Sequence, residues 1–175
     1  MEQLEKPNLS GVLVIDKPRG PTSMSMVNLV RRRASESREN RVRTGHAGTL
    51  DPLATGVLVL GLGKMTKRLG ELTLTNKRYT TVIDLSATTA GHDDESPREE
   101  VQVSNPPDRQ TINKTLETFH GTILQRPPIF SAVKVDGHRA YAIARKGKEV
   151  VIKPREVEVF DISLLEYSWP ILTIE

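Results

Sequence analysis

Cysteine is absent from this 175-residue chain, which excludes disulfides, a thiolate nucleophile and thiolate metal ligation. No apolar run approaches the length needed to cross a bilayer, so no membrane association is expected. The opening Met1-Glu2-Gln3-Leu4-Glu5-Lys6-Pro7 is charged and holds no apolar signal segment, which speaks against export; cytoplasmic residence is the expectation. His46, His92, His120 and His138 show no metal-ligand spacing such as His-Glu-x-x-His, so no metal is expected. Gly61-Leu62-Gly63-Lys64-Met65 lacks the phosphate-loop pattern: Leu58 stands where a glycine is required, and Met65 where a Ser or Thr is. Nucleoside triphosphate chemistry is therefore unsupported. Nothing supplies the paired carboxylates of a glycosidase. Neither an internal repeat nor a flexible linker is evident, so residues 1–175 read as one domain, long enough for a real core.

What is present is unevenly spread. The net charge of +3 is small, yet six arginines face two glutamates between Arg31 and Arg43. Eight Lys or Arg face two acids between Arg126 and Arg155, while residues 93–108 carry six acids against Arg98. Basic stripes beside an acidic insert fit a phosphate-binding face with a solvated far side. Plain solvated helix faces account for each run equally well.

The chain reads as mixed α and β. Gly11-Val12-Leu13-Val14-Ile15 is a short strand running into the turn Asp16-Lys17-Pro18-Arg19-Gly20-Pro21. Thr22 or Ser23 caps a helix whose Met26, Leu29, Val30 and Arg33 share a face. Next comes Gly45-His46-Ala47-Gly48-Thr49-Leu50-Asp51-Pro52-Leu53-Ala54-Thr55-Gly56, where glycines let the backbone bend and Pro52 suits the first position of a short helix capped by Asp51. Val57 to Leu60 reads as a buried strand, which sets the Asp51 carboxylate at the edge of a packed core. On spacing alone Asp51 is either a helix cap or a nucleophile. His46 is likewise either a loop hydrogen-bonder or a substrate contact.

This run resembles the catalytic loop of the bacterial tRNA pseudouridine synthases of the TruB family, Gly-His-x-Gly-Thr-Leu-Asp-Pro-Leu-Ala-Thr-Gly. The resemblance implies Asp51 as nucleophile and His46 as the histidine that enters the RNA and holds the flipped-out conformation. Gly48, Thr49, Leu50 and Pro52 support the loop. Asp16 to Ser23 is similar to the family's opening motif Asp-Lys-Pro-x-Gly-x-Thr-Ser, which implies that Lys17 braces the same loop; read alone, Lys17 is as well a surface turn lysine. The implied fold is α+β, pseudouridine-synthase-like, with a mixed, mainly antiparallel sheet flanked by helices.

Lys77-Arg78-Tyr79 opens another strand, with Tyr79, Thr81, Ile83 and Leu85 on one face. Tyr79 reads as a core tyrosine from this pattern; by resemblance to the family's Lys-x-Tyr motif it packs on the target uracil. Beyond it the pattern departs, with Gly91 for a threonine and Ser96 for a glycine, and Asp93 is assigned to a solvated acidic loop. A helix is expected over 108–119 from Ile112, Leu116 and Phe119. Gln125 to Tyr141 is similar to a second family block, Gln-x-Pro-Pro-x-x-Ser-Ala-x-Lys-x-x-Gly-x-x-x-Tyr. Lys134, Arg139 and Arg145 are spaced to meet RNA phosphates, or are ordinary surface charges. Tyr141 to Lys146 looks helical, and Val150-Val151-Ile152 and Val157 to Leu165 look like strands.

The family's Gly-Thr-Tyr-Ile-Arg motif and the PUA-type module of many members are not found, so the expectation is a catalytic domain incomplete at its C-terminus. The implied activity is isomerisation of a uridine in the T-loop of tRNA to pseudouridine, by an aspartate nucleophile acting on a base turned out of its stack. No cofactor is required, because the isomerisation has no redox or phosphoryl step. The partner is the tRNA T-arm, and a monomer is expected. The alternative is a non-catalytic tRNA-binding remnant.

Overall fold

The computed structural model describes residues 9–35, 37, 40–91, 93–94, 96–127 and 152–175, with 134–135 and 138–139 described by backbone alone. Contacts divide the chain into two compact units, Met1–Lys77 and Arg78–Glu175.

In the first unit, β1 (Gly11–Lys17) leads through a Pro- and Gly-rich turn into α1 (Ser23–Ala34). Pro18 and Pro21 cannot donate to a ladder, which ends the strand. Thr22 then caps the helix, its hydroxyl accepting from the Ser25 N–H at 3.0 Å. Arg31, Arg32 and Arg33 fill the last turn, where cations suit the negative end of the helix dipole. β2 (Thr44–His46) and β3 (Gly56–Leu62) follow, then a 3-10 helix (Gly63–Arg68) and α2 (Leu69–Thr73).

The sheet order is β1-β3-β2, antiparallel throughout. Lys17 pairs with Gly56, so β1 ends where β3 starts, and His46 pairs with Leu60, so β2 runs toward that same end of the sheet and stops four residues short of it. Residues 47–55 are the long hairpin connection across that end. Val27, Leu58 and Leu60 form the core, with Ile15, Met26, Val30 and Leu50 packed on it. Each such buried aliphatic chain contributes about 1.5–3 kcal/mol.

Three local expectations change here. Val57 is 71% exposed, because it lies on the face of β3 opposite Leu58, Leu60 and Leu62, a face that is covered only further along, at Gly61. On α1 the buried residues are Ser23 and Val27, while Leu29 is exposed. Pro52 starts a tight turn rather than a helix: the Asp51 carbonyl accepts from the Ala54 N–H at 3.1 Å, and the strand begins at Gly56.

In the second unit, β12 (Ile171–Ile174) lies between β4 (Thr81–Asp84) and β11 (Leu164–Ser168). α3 (Arg109–Glu117) packs Ile112 and Leu116 against Leu172, with Ile83, Leu85, Ile162, Leu164, Tyr167 and Ile174 around them. Asp108 caps α3 by accepting from the Thr111 N–H, and the Thr111 side chain together with that N–H lowers its carboxyl pKa. The expected helix thus ends at Glu117, short of Phe119. The strand expected from Lys77 starts at Thr81, and the one expected over 157–165 is two strands, β10 (Arg155–Val159) and β11.

Three two-stranded antiparallel ladders complete the unit: β5 (Ala87–Thr88) with β6 (Glu99–Glu100), β7 (Gly121–Gln125) with β10, and β8 (Lys134–Val135) with β9 (His138–Arg139). The acidic segment therefore supplies one strand, β6, of a small hairpin. Arg98 joins it to β4 by pairing with Asp84 at 2.9 Å and Glu100 at 3.4 Å. The helix expected over 141–146 and the strand residues Val150 and Val151 lie outside the described residues. Among the described residues every strand pairing is antiparallel and the helices are separate from the ladders, an α+β fold.

Candidate active site

Asp51 sits near the middle of the connection between β2 and β3, with its side chain exposed. Its neighbours on both sides are pinned. Leu50 packs on the core, and its peptide groups are held by Ser23: the Ser23 hydroxyl donates to the Leu50 carbonyl at 2.8 Å and accepts from the Leu50 N–H at 2.9 Å. Ser23 is 2% exposed.

On the other side the Pro52 carbonyl accepts from the Gly20 N–H at 2.8 Å and from Lys17 Nζ at 3.3 Å. Lys17 is 0% exposed. Its ammonium also donates to the Ala54 carbonyl at 2.7 Å and the Pro18 carbonyl at 3.0 Å, so each of its three donors has an acceptor. A buried charge is tolerated only where it is so satisfied.

Two glycines let the chain make this path. Gly48 has φ +95° and Gly56 φ +116°, values that side chains with a Cβ rarely adopt. His46, the last residue of β2, is half-buried, and its Nδ1 is hydrogen-bonded to the Gly48 carbonyl. The Ala47 N–H donates to the Val59 carbonyl at 2.9 Å, which extends the ladder to the loop's first residue. Thr49 is exposed and Leu50 half-buried. The structure thus brings His46, Gly48, Thr49, Leu50, Asp51, Pro52 and Lys17 together in the first unit. Among the described residues no cation forms an ion pair with Asp51.

The remaining residues expected from sequence lie in the second unit. Tyr79 precedes β4 and is 62% exposed, so its ring is not part of the described core. Lys134 and Arg139 are register partners in the β8–β9 hairpin. Arg145 lies outside the described residues. A groove of about 580 Å³ beside α3, lined by Asn113, Glu117, His120 and Asp161 among others, contains none of these residues.

Sequence reasoning missed Ser23 and Gly20 as supports of the loop. Their signal was visible in Gly20-Pro21-Thr22-Ser23, which read as a turn and a helix cap and as part of the family's opening motif, from which Lys17 and not these two was drawn as a brace.

The arrangement presents a carboxylate to solvent on a backbone fixed at both flanking peptides. Such a group can add to an electrophilic carbon and later leave without the loop having to reorganise.

Comparison with known proteins bears on this site. A model described as TruB family pseudouridylate synthase (N terminal domain) matches residues 32–175. The tRNA pseudouridine synthase B of Bacteroides fragilis is 44% identical over 167 residues, covering 93% of this chain and 70% of that protein. That of Thermobifida fusca is 45% identical over 154 residues, covering 88% of this chain and 51% of that one. Among solved structures, a chain of a Cbf5-Nop10-Gar1 complex superposes with a TM-score of 0.66 at 26% identity. It covers 97% of this chain, which spans only 39% of it. A chain of an H/ACA RNP bound to a substrate RNA containing 2'-deoxyuridine gives 0.61 at 22% identity, a likeness of fold alone. The matched span takes in the whole loop around Asp51 and runs to the last residue, and on that ground the chain belongs to the TruB family of pseudouridylate synthases.

Proposed function

We propose that this protein isomerises a uridine in the T-loop of tRNA to pseudouridine, with Asp51 as the nucleophile. The observation that carries the reading is the family's loop with its aspartate exposed, the Leu50 carbonyl before it held by buried Ser23 and the Pro52 and Ala54 carbonyls after it held by buried Lys17. The relatives in Bacteroides fragilis and Thermobifida fusca are tRNA pseudouridine synthases, which supports tRNA as substrate.

The isomerisation breaks the bond between N1 of uracil and C1′ of ribose and forms one between C5 and C1′. N1 gains a proton and C5 loses one, so nothing is oxidised and no group leaves. Asp51 forms the transient covalent bond, at C1′ or at C6 of the ring. Its exposure in the first unit suits an approach by a base turned out of its stack, with water displaced as the nucleotide enters. His46, tied to the Gly48 carbonyl beside the loop, contacts the RNA from the end of β2. Tyr79 offers an exposed ring on which a pyrimidine stacks. Lys134, Arg139 and Arg145 meet phosphates, and so do Arg41 and Arg43, which are exposed on either side of buried Val42.

The test is pseudouridine mapping on a T-arm stem-loop with the wild-type chain and Asp51→Asn. Product from wild type and none from Asp51→Asn, with RNA affinity within about threefold, is the expected result. Product from Asp51→Asn overturns the nucleophile. RNA binding without any product from wild type replaces the enzymatic reading with a tRNA-binding one.

A further inference from the structure

We infer that Ser23 is a positioning residue for the reaction, acting through the Leu50 peptide on the Asp51 carboxylate. The inference deepens the proposed function and rests on Asp51 being the reacting group.

Ser23 stands at the first position of α1, where its hydroxyl has no capping work to do: Thr22 already accepts the Ser25 N–H. The Ser23 hydroxyl instead reaches a residue 27 positions away and engages both polar groups of it, donating to the Leu50 carbonyl and accepting from the Leu50 N–H. One hydroxyl supplies one donor and two acceptor sites, so this use leaves neither Leu50 group unsatisfied in a place water barely reaches. The Leu50 carbonyl belongs to the peptide that joins Leu50 to Asp51. Fixing that carbonyl fixes the plane from which the Asp51 Cα–Cβ bond departs. The Leu50 side chain, packed on the core of Val27, Leu58 and Leu60, limits rotation of the preceding peptide. Lys17 and Gly20 hold the peptide groups after Asp51 but touch nothing before it. Ser23 is therefore the polar anchor on the upstream side, and without it the carboxylate swings about its downstream supports.

This predicts a particular kinetic pattern. Ser23 is buried and does not touch RNA, so its removal leaves binding alone and slows the chemical step. The experiment compares the full chain with Ser23→Ala, Ser23→Thr, Leu62→Ala and Asp51→Asn under single-turnover conditions on a T-arm stem-loop, with affinity measured separately. Leu62 is buried at the end of β3 remote from the loop and controls for a general loss of stability. Amide hydrogen exchange at Leu50 is followed in each variant, and that readout needs no turnover.

Expected are a rate at least tenfold lower in Ser23→Ala with affinity within twofold, and partial recovery in Ser23→Thr, which keeps the hydroxyl. Leu62→Ala should lose thermal stability while keeping its rate per folded molecule. Leu50 amide protection should fall at least tenfold in Ser23→Ala but not in Leu62→Ala. Unchanged Leu50 protection in Ser23→Ala overturns the inference, as does a wild-type rate in that variant when Asp51→Asn is inactive. An active Asp51→Asn removes the proposed function itself, which keeps the two failures distinct.

Discussion

Lys17 shows how much one side chain can hold. It ends β1 as register partner of Gly56, so its backbone belongs to the sheet while its ammonium reaches across to three carbonyls. Methionine matches its length and apolar stem but has no donor. Lys17→Met leaves the Pro18, Pro52 and Ala54 carbonyls without that partner, at a cost of about 1–3 kcal/mol for each one left buried and unsatisfied. Thermal melts should show the variant folded but less stable. Pseudouridine formation should fall at least tenfold while RNA affinity holds. Full activity at saturating RNA would show that the ammonium does not steer the loop. At this scale the residue types alone left Lys17, His46 and Asp51 with ordinary readings, and it was the resemblance that grouped them around one loop, where the structure places them. Ser23 was not legible as a support, because a serine beside Thr22 at a helix start has a sufficient local explanation, and its partner 27 residues on is a matter of tertiary contact.

Elements were legible in kind more than in extent. The strand expected from Lys77 begins at Thr81, and its pairing with β12 runs from Thr81 with Ile174 to Asp84 with Ile171. On α1, periodicity selected Met26, Leu29, Val30 and Arg33; Met26 and Val30 do pack on the core, but the direction from which the sheet approaches buries Val27 and leaves Leu29 exposed. At the end of β4, Asp84 carries a prediction. It accepts from the Ser86 hydroxyl at 2.6 Å and the Ser86 N–H at 2.9 Å, and Arg98 pairs with it, which together hold its carboxyl pKa at about 2 against the usual 3.8. The folded value lies below the unfolded one. Its stabilising effect is therefore complete above about pH 4 and drains away as the pH falls toward 2. Unfolding of wild type and Asp84→Asn across pH 2–6 should show a stability gap that narrows as acid is added. A gap of constant size would place the effect of the substitution elsewhere.

Across the whole molecule the distribution of charge matters more than its total. Arg41 and Arg43 are exposed, and no ion pair engages them among the described residues, whereas Arg68, Arg78 and Arg98 all have acidic partners. An arginine pair left without carboxylates is available to a polyanion. Arg41→Gln with Arg43→Gln should weaken T-arm binding about tenfold at low salt. It should also flatten the dependence of log K on log salt by roughly 0.7–0.9 for each phosphate no longer neutralised. An unchanged slope would remove these two arginines from the RNA interface. Patterning alone read as mixed α and β, and the α+β class came from the family resemblance, with which the structure agrees. The division into two compact units was not open to sequence reading, since no linker composition marks residues 77–78.

The turn over residues 18–22 is mostly exposed, and surface turns of that kind usually absorb insertions without consequence. This one is a ruler. Lys17 stands just before it and Ser23 just after it, and they grip opposite sides of the same aspartate. One added residue would lengthen the span by up to about 3.5 Å, more than either hydrogen bond could stretch to follow. We expect substitution at Arg19 to be tolerated and a one-residue insertion after it to slow pseudouridine formation, and an insertion variant with wild-type rate and thermal stability would show that the five-residue spacing between the last lysine of the strand and the first serine of the helix is not required.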